Sequence, residues 1–217
     1  MAERVYLDHA ATSPLRPEAR AALAEGFALW ANPSSPHAEG RKARAALEDA
    51  RERIKRALGW DGELIFTSGA SEALWIALNR AKVERRYRTA IEHDAVIRAA
   101  PDAIVFDDLD TEEISGAIIA AQHVNSETGV IVREIDLWSQ NVGENGGMLV
   151  CDCSQSAGKL PLPLADMLVV SAHKFGGPIG IGALLVRDFA LLEPMGGHER
   201  GYRQGTENLP AALGMAA

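Results

Sequence analysis

The residues able to do chemistry in this sequence stand just after short apolar runs. Lys174 follows the run at 167–170, within Ser171-Ala172-His173-Lys174. Asp152 closes the run at 148–152, and His93 follows 89–92. Ser68-Gly69-Ala70-Ser71 follows 63–67, and Asn125-Ser126 follows 117–124. A lysine desolvated in a cleft attacks carbonyl carbon. A carboxylate at the end of a central strand can keep a pyridine-type nitrogen protonated, as an electron-sink cofactor requires. Small residues opening a helix leave backbone N–H groups free, and the helix dipole favours an anion there. Ser71 adds a hydroxyl to that turn. A histidine such as His93 can lie flat on an aromatic ring or relay a proton near neutral pH. Each group also has a plain explanation: a helix cap for Ser71, a hydrogen-bonded half-buried ring for His93, a turn for Asp152, a solvated loop for Lys174. Polar groups at five strand ends are harder to explain one at a time.

Those groups need a scaffold that gathers strand ends. Near-continuous apolar runs at 63–67, 89–92, 103–106, 117–124, 148–152, 167–171 and 183–186 read as strands, several of them buried on both faces. Helical spacing appears between them. Leu23, Phe27 and Trp30 form one face over 17–31. Ala43, Leu47, Ala50, Ile54 and Ala57 form another, stopped by Gly59. Residues 71–80 and 135–143 are further helices. Strands alternating with helices predict an α/β fold with a mostly parallel central sheet. The glycine-rich link before 183–186 is too tight for a crossover, so the last two strands are expected to be antiparallel. In such sheets ligands bind beyond the carboxyl ends of the strands.

Composition narrows the function. Of 217 residues, 47% are hydrophobic and 24% charged, an ordinary globular balance. The net charge of −8 without a basic run argues against nucleic-acid or anionic-membrane partners. No apolar run is long enough to span a bilayer, and the first residues lack the basic and apolar regions of a secretory signal. The two cysteines, Cys151 and Cys153, flank Asp152 on what reads as a strand and point away from it. They read as small core residues, too few for a structural zinc site, and no metal is expected. A cytoplasmic setting follows as the default. Gly176–Gly182 precedes a strand and not a helix, so it is no dinucleotide fingerprint, and no P-loop is present. The last residues, 208–217, read as a helix just beginning, so more chain is expected to follow them.

Longer strings carry a resemblance. YLDHAAT, NPSSPHAEGRKAR, FTSGASEA, AIEHDAV, HVNSETG, CDCSQSAGKLP, SAHKFGGPIGIGALLVR and GGHERGYRQGTEN occur in this order over nearly the whole chain. Together they resemble the cysteine desulfurases of the class V aminotransferase group, enzymes of fold type I that use pyridoxal 5'-phosphate. The resemblance implies a large cofactor-binding domain over 16–217, preceded by a segment, 1–15, that packs near a small C-terminal domain. It implies that Lys174 binds the cofactor covalently, that Asp152 pairs with its ring nitrogen and that Gln155 hydrogen-bonds its ring hydroxyl. His93 would stack on the ring and assist proton transfer. Ala70, Ser71, Ser171 and His173 would surround the phosphate. Thr206 would reach the phosphate of a neighbouring subunit in a homodimer, with Arg203 near that edge. An asparagine contact to the cofactor falls to Asn125, although Ser126 occupies the family's own asparagine position. The activity implied is conversion of L-cysteine to L-alanine. Its sulfur would pass to an enzyme persulfide and on, through an acceptor or scaffold protein, to iron–sulfur clusters or tRNA thiolation. The family's catalytic cysteine and its substrate-gripping arginine have no counterpart among these residues. A selenocysteine lyase, another class V aminotransferase, or a piece that binds the cofactor without turnover are the alternatives.

Overall fold

The structure is a computed structural model that describes residues 5–106 and 115–217. After the helices α1 (Pro17–Leu29) and α2 (Ala38–Leu58) come β1 (Glu63–Thr67), α3 (Ala70–Arg80), β2 (Arg85–Thr89), α4 (Asp94–Ala99) and β3 (Ile104–Phe106). Then follow β4 (Ala117–Gln122), α5 (Ile135–Glu144), β5 (Met148–Asp152), β6 (Met167–Ser171), β7 (Gly182–Val186) and α6 (Leu209–Ala216). The described strands form one sheet in the order β1-β7-β6-β5-β4-β2-β3. β2 to β6 run parallel, whereas β7 is antiparallel to both β6 and β1, as the tight link before it requires.

Strand alternation divides the core in two. Phe66, Ile119, Leu149, Cys151 and Val170 face a layer that includes α2, α5 and α6. Ile65, Ile118, Val150, Val169 and Leu184 face α3 and α4. Covering both faces explains why β4, β6 and β7 are buried along their whole length and read as continuous apolar runs. α2 is the clearest helix in the sequence: Ala43, Leu47, Ala50 and Ile54 are buried, and Gly59 ends it at φ +66°.

Three expectations are corrected. The second strand occupies Arg85–Thr89, and of the expected strand 89–92 only Thr89 belongs to it, with 90–91 forming a turn. The sequence Arg-Arg-Tyr-Arg-Thr hides it because this strand, next to the edge, directs arginines to partners on other elements. Arg86 Nε donates to Leu78 O at 2.8 Å and Arg86 Nη1 to Asp102 Oδ2 at 2.9 Å. The apolar stripe proposed for α1 is not a core face: Phe27 is 70% and Trp30 77% exposed. α1 instead buries Ala19 and Gly26 against α6, where a Cβ on Gly26 would meet Pro210 Cα at 2.4 Å. α4 was absent from the sequence reading. Its six residues are too few to show a period, and it starts because His93 Nδ1 accepts the Ala95 N–H.

Candidate active site

The strand ends enclose a cleft of about 360 Å³. Its first wall is the turn from β1 into α3. Gly69 sits at φ +155°, ψ −177°, a conformation essentially restricted to glycine. No side chain caps α3 there, so the first N–H groups, at Ala70, Ser71 and Glu72, open into the cleft. Glu72 is tied down on its far side. Its carboxylate accepts from Ser68 N at 2.5 Å and from Arg203 Nε at 3.2 Å. The space for this turn depends on Gly182, since a Cβ there would meet Gly69 Cα at 2.9 Å.

Asp152 forms the floor. It is buried, shares the face of Val150, and its Oδ1 accepts the Ser154 N–H at 2.9 Å. Ser154 Oγ, also buried, has no partner among the described residues. Gln155, Ser171, His173 and Lys174 complete the opposite wall. Ser171 Oγ lies 3.0 Å from His173 Nδ1. Burial, helped by the charge of Lys174, pushes the His173 imidazole below its usual pKa. The same two causes lower Lys159. Lys174 Nζ donates to the carbonyls of Ala10 at 2.5 Å and Ala11 at 3.0 Å, and Gln155 Nε2 shares the Ala10 carbonyl at 2.9 Å. The segment bearing those carbonyls is held in turn by Ser13, whose N–H donates to His173 O at 2.7 Å. His93 lies at the cleft edge with Nδ1 occupied as an acceptor from Ala95 N, which puts the proton of the neutral ring on Nε2.

Of the residues singled out from sequence, Ala70, Ser71, His93, Asp152, Gln155, Ser171, His173 and Lys174 line this one cleft. Asn125 does not. Its Oδ1 accepts from the N–H groups of Glu127 and Thr128 and from Thr128 Oγ1, so it builds the turn after β4 and leaves Ser126 on the cleft. Thr206 is exposed and lies outside the cleft. Cys151 and Cys153 are fully buried on the opposite face of β5, with sulfurs 3.8 Å apart. Sequence reasoning missed Glu92, buried next to His93; a carboxylate closing the run 89–92 was the available signal. It also missed the Ala10 and Ala11 carbonyls, which carry no side-chain signature.

The cleft thus has an anion cradle of backbone N–H groups and hydroxyls on one wall, a carboxylate on its floor and an amine beside both. A flat pyridine aldehyde phosphate fits this donor set. The phosphate matches the start of α3, the ring nitrogen matches Asp152, and the unpartnered Ser154 hydroxyl leaves a polar atom for a ligand to satisfy.

The model of the family described as aminotransferase class-V matches residues 5–217. A putative cysteine desulfurase NifS of Bacillus subtilis strain 168 is 34% identical over 95% of this chain and 60% of its own length. A cysteine desulfurase IscS of Dictyoglomus turgidum is 34% identical over 99% of this chain and 63% of its own. The chain therefore spans about three fifths of the length of these curated relatives. Among solved structures, a NifS-like protein from Rickettsia africae superposes with a TM-score of 0.88 at 27% identity, covering 99% of this chain and 67% of that one. The structure titled SspA in complex with cysteine gives 0.84 at 30% identity, covering 97% and 71%.

Proposed function

Since the chain belongs to the class V aminotransferases, we propose that its cleft binds pyridoxal 5'-phosphate on Lys174 and that the whole protein is a cysteine desulfurase. The observation that carries this reading is the meeting of Lys174, Asp152 and the uncapped start of α3 in one cleft. The similarity to proteins named cysteine desulfurases supports the substrate, L-cysteine.

When bound, the cofactor supplies an electron sink for carbanion chemistry. This chain supplies the rest. Lys174 Nζ would provide the covalent attachment and an amine able to carry a proton; in the free chain it donates to the Ala10 and Ala11 carbonyls. Asp152 keeps the ring nitrogen protonated. Ser71, the Ala70 and Ser71 N–H groups, Ser171 and His173 hold the phosphate. A neutral His173 donates a hydrogen bond without adding charge. Gln155 takes the ring hydroxyl, and Ser126 offers the contact that Asn125 has given up. His93 would pack against the ring and could pass a proton through Nε2, because Nδ1 is committed to α4. The overall change is cysteine plus a protein thiol giving alanine plus a persulfide. Neither Cys151 nor Cys153 is placed to receive the sulfur, so we assign that thiol to a segment outside these 217 residues. Exposed Thr206 fits a reach toward a second copy's cofactor in a homodimer, and a sulfur-acceptor or scaffold protein would take the product. Among the described residues no helix is long and apolar enough to cross a membrane. We place the activity in the cytoplasm.

Borohydride reduction of the cofactor-loaded protein followed by peptide mapping should place the label on Lys174, and Lys174→Ala should abolish it. Incubating the whole protein with L-cysteine should release alanine and, with a thiol reductant, sulfide. A label elsewhere, or amino-group transfer to a keto acid without sulfur release, refutes the reading.

A further inference from the structure

Glu92 takes no part in the scheme above, yet it is packed against its centre. It lies in the turn between β2 and α4, one residue before His93, and is 7% exposed. Its two carboxyl oxygens are treated very differently. Oε1 accepts two hydrogen bonds, from Thr89 Oγ1 at 2.5 Å and from the backbone N–H of Gln122 at 3.1 Å. Oε2 is buried and has no partner among the described residues. Gln122 is the register partner of Asp152 across β4 and β5, so Glu92 braces the strand end beside the cleft floor. The two donors on Oε1 favour the ionised form, but the bare, buried Oε2 opposes it, and a proton on Oε2 still leaves Oε1 free to accept both hydrogen bonds. An ionised carboxylate would instead bury a bare charged oxygen beside a second carboxylate, and both circumstances favour the proton.

The surroundings agree. From β2, the charge of Arg88 opposes the proton, but its Nη1 donates to Thr89 O and it makes no salt bridge to Glu92. Asp152 of β5 acts on Glu92 unfavourably for a second negative charge. His93 turns its Nδ1 to α4, and His123 lies on the other face of β4, near Cys153. Burial foremost, with the charge of Asp152 added, pushes the Glu92 carboxyl up to about 7.

We propose that Glu92 is a positioning residue for Asp152, a buried neutral acid that ties the ends of β2 and β4 and leaves Asp152 as the sole negative charge on the cleft floor. The proposal rests on the reading of Asp152 as the partner of a protonated ring nitrogen. A second anion at Glu92 would share that proton and blur the assignment, whereas below about pH 7 the neutral acid keeps the charge on one carboxylate. The raised value means that the folded chain holds a proton the unfolded chain has released. The stabilisation from Glu92 is therefore full below the ordinary glutamate range and is lost as pH climbs to about 7, levelling off above.

The test is urea unfolding of the unloaded chain from pH 5 to 8.5, wild type against Glu92→Gln, which keeps both hydrogen bonds to Oε1 and cannot ionise. The variant should gain on the wild type as pH rises, by about tenfold or more in the unfolding equilibrium constant by pH 8. Parallel profiles would overturn the proposal. Should the variant fail to fold, infrared spectra of the wild type at pH 6 decide instead: a buried protonated carboxyl band that fades near pH 7 supports the idea, and its absence overturns it. The loaded protein gives a second readout. Ionisation of Glu92 should shift the pH response of the wild-type cofactor absorption band above neutrality, and Glu92→Gln should remove that shift; identical responses of the two proteins would overturn the proposal. Because the unfolding arm needs no cofactor, a failure of cofactor binding is told apart from a failure of the Glu92 assignment.

Discussion

Replacing Glu199 by alanine should destabilise this protein strongly, although Glu199 lies outside the cleft. Its side chain is 1% exposed and meets Arg51, itself 2% exposed, through Nη1 at 2.9 Å and Nη2 at 3.1 Å. The same carboxylate accepts the Phe66 N–H of β1 at 2.8 Å. Burial works against the Arg51 charge, but the hydrogen bonds and charges of Glu199 and Glu48 together outweigh it, and the guanidinium pKa is raised. Removing the carboxylate strands a buried cation, for which about 3–5 kcal/mol is typical. It also orphans a backbone donor, which costs about 1–3 kcal/mol more when nothing relaxes. Arg51 keeps Glu48 and the Leu64 carbonyl, which limits the damage, so we expect about 4 kcal/mol in total. With an m-value of about 2 kcal/mol per molar, that moves a urea midpoint down by about 2 M. Glu199→Gln retains an acceptor for Phe66 and should lose about half as much. The loss should reach the cleft, since Phe66 leads directly into the turn at Ser68-Gly69, and cofactor affinity should fall with stability. A midpoint shift for Glu199→Ala under 0.5 M would refute the reasoning, because it would mean that Arg51 finds water or another partner without cost.

Two further outcomes test how the fold serves the site. Gly182→Ala places a Cβ 2.6 Å from Val170 O and 2.9 Å from Gly69 Cα, both backbone. The β6–β7 pairing is the stiffer neighbour, so the Gly69 turn should yield. Cofactor affinity should fall about tenfold or more for a stability cost of about 1–3 kcal/mol, while Gly143→Ala, open on all sides, should leave affinity unchanged. Titration with an aromatic disulfide reagent should find neither Cys151 nor Cys153 reactive in the native chain and both in urea, and fast native labelling would contradict their burial.

How much was legible in advance depended on how local the signal was. Strands buried on both faces announce themselves as apolar runs, so β1, β4, β5, β6 and β7 were read within about two residues of their ends. β2 was misplaced because arginines whose partners come from other elements look like a polar linker. In α1, period alone could not show that its large residues face outward while Ala19 and Gly26 make the contact.

Lys174 and Asp152 were candidates because residue type and strand-end position restrict what a lysine or an aspartate can do, and both are properties of the sequence alone. Asn125 and Ser126 show where that ended. They are adjacent, both polar and both follow β4, and only the turn geometry spends one on backbone hydrogen bonds and turns the other to the cleft. The same holds for Glu92, whose neighbours Thr89, Gln122 and Asp152 come from three strands. The sequence determined which residue types stand at the ends of its strands, because apolar periodicity and turn chemistry are short-range. Tertiary structure decided which of them share one small volume and how their protons are distributed, because burial and through-space charge depend on neighbours dozens of residues away in the chain.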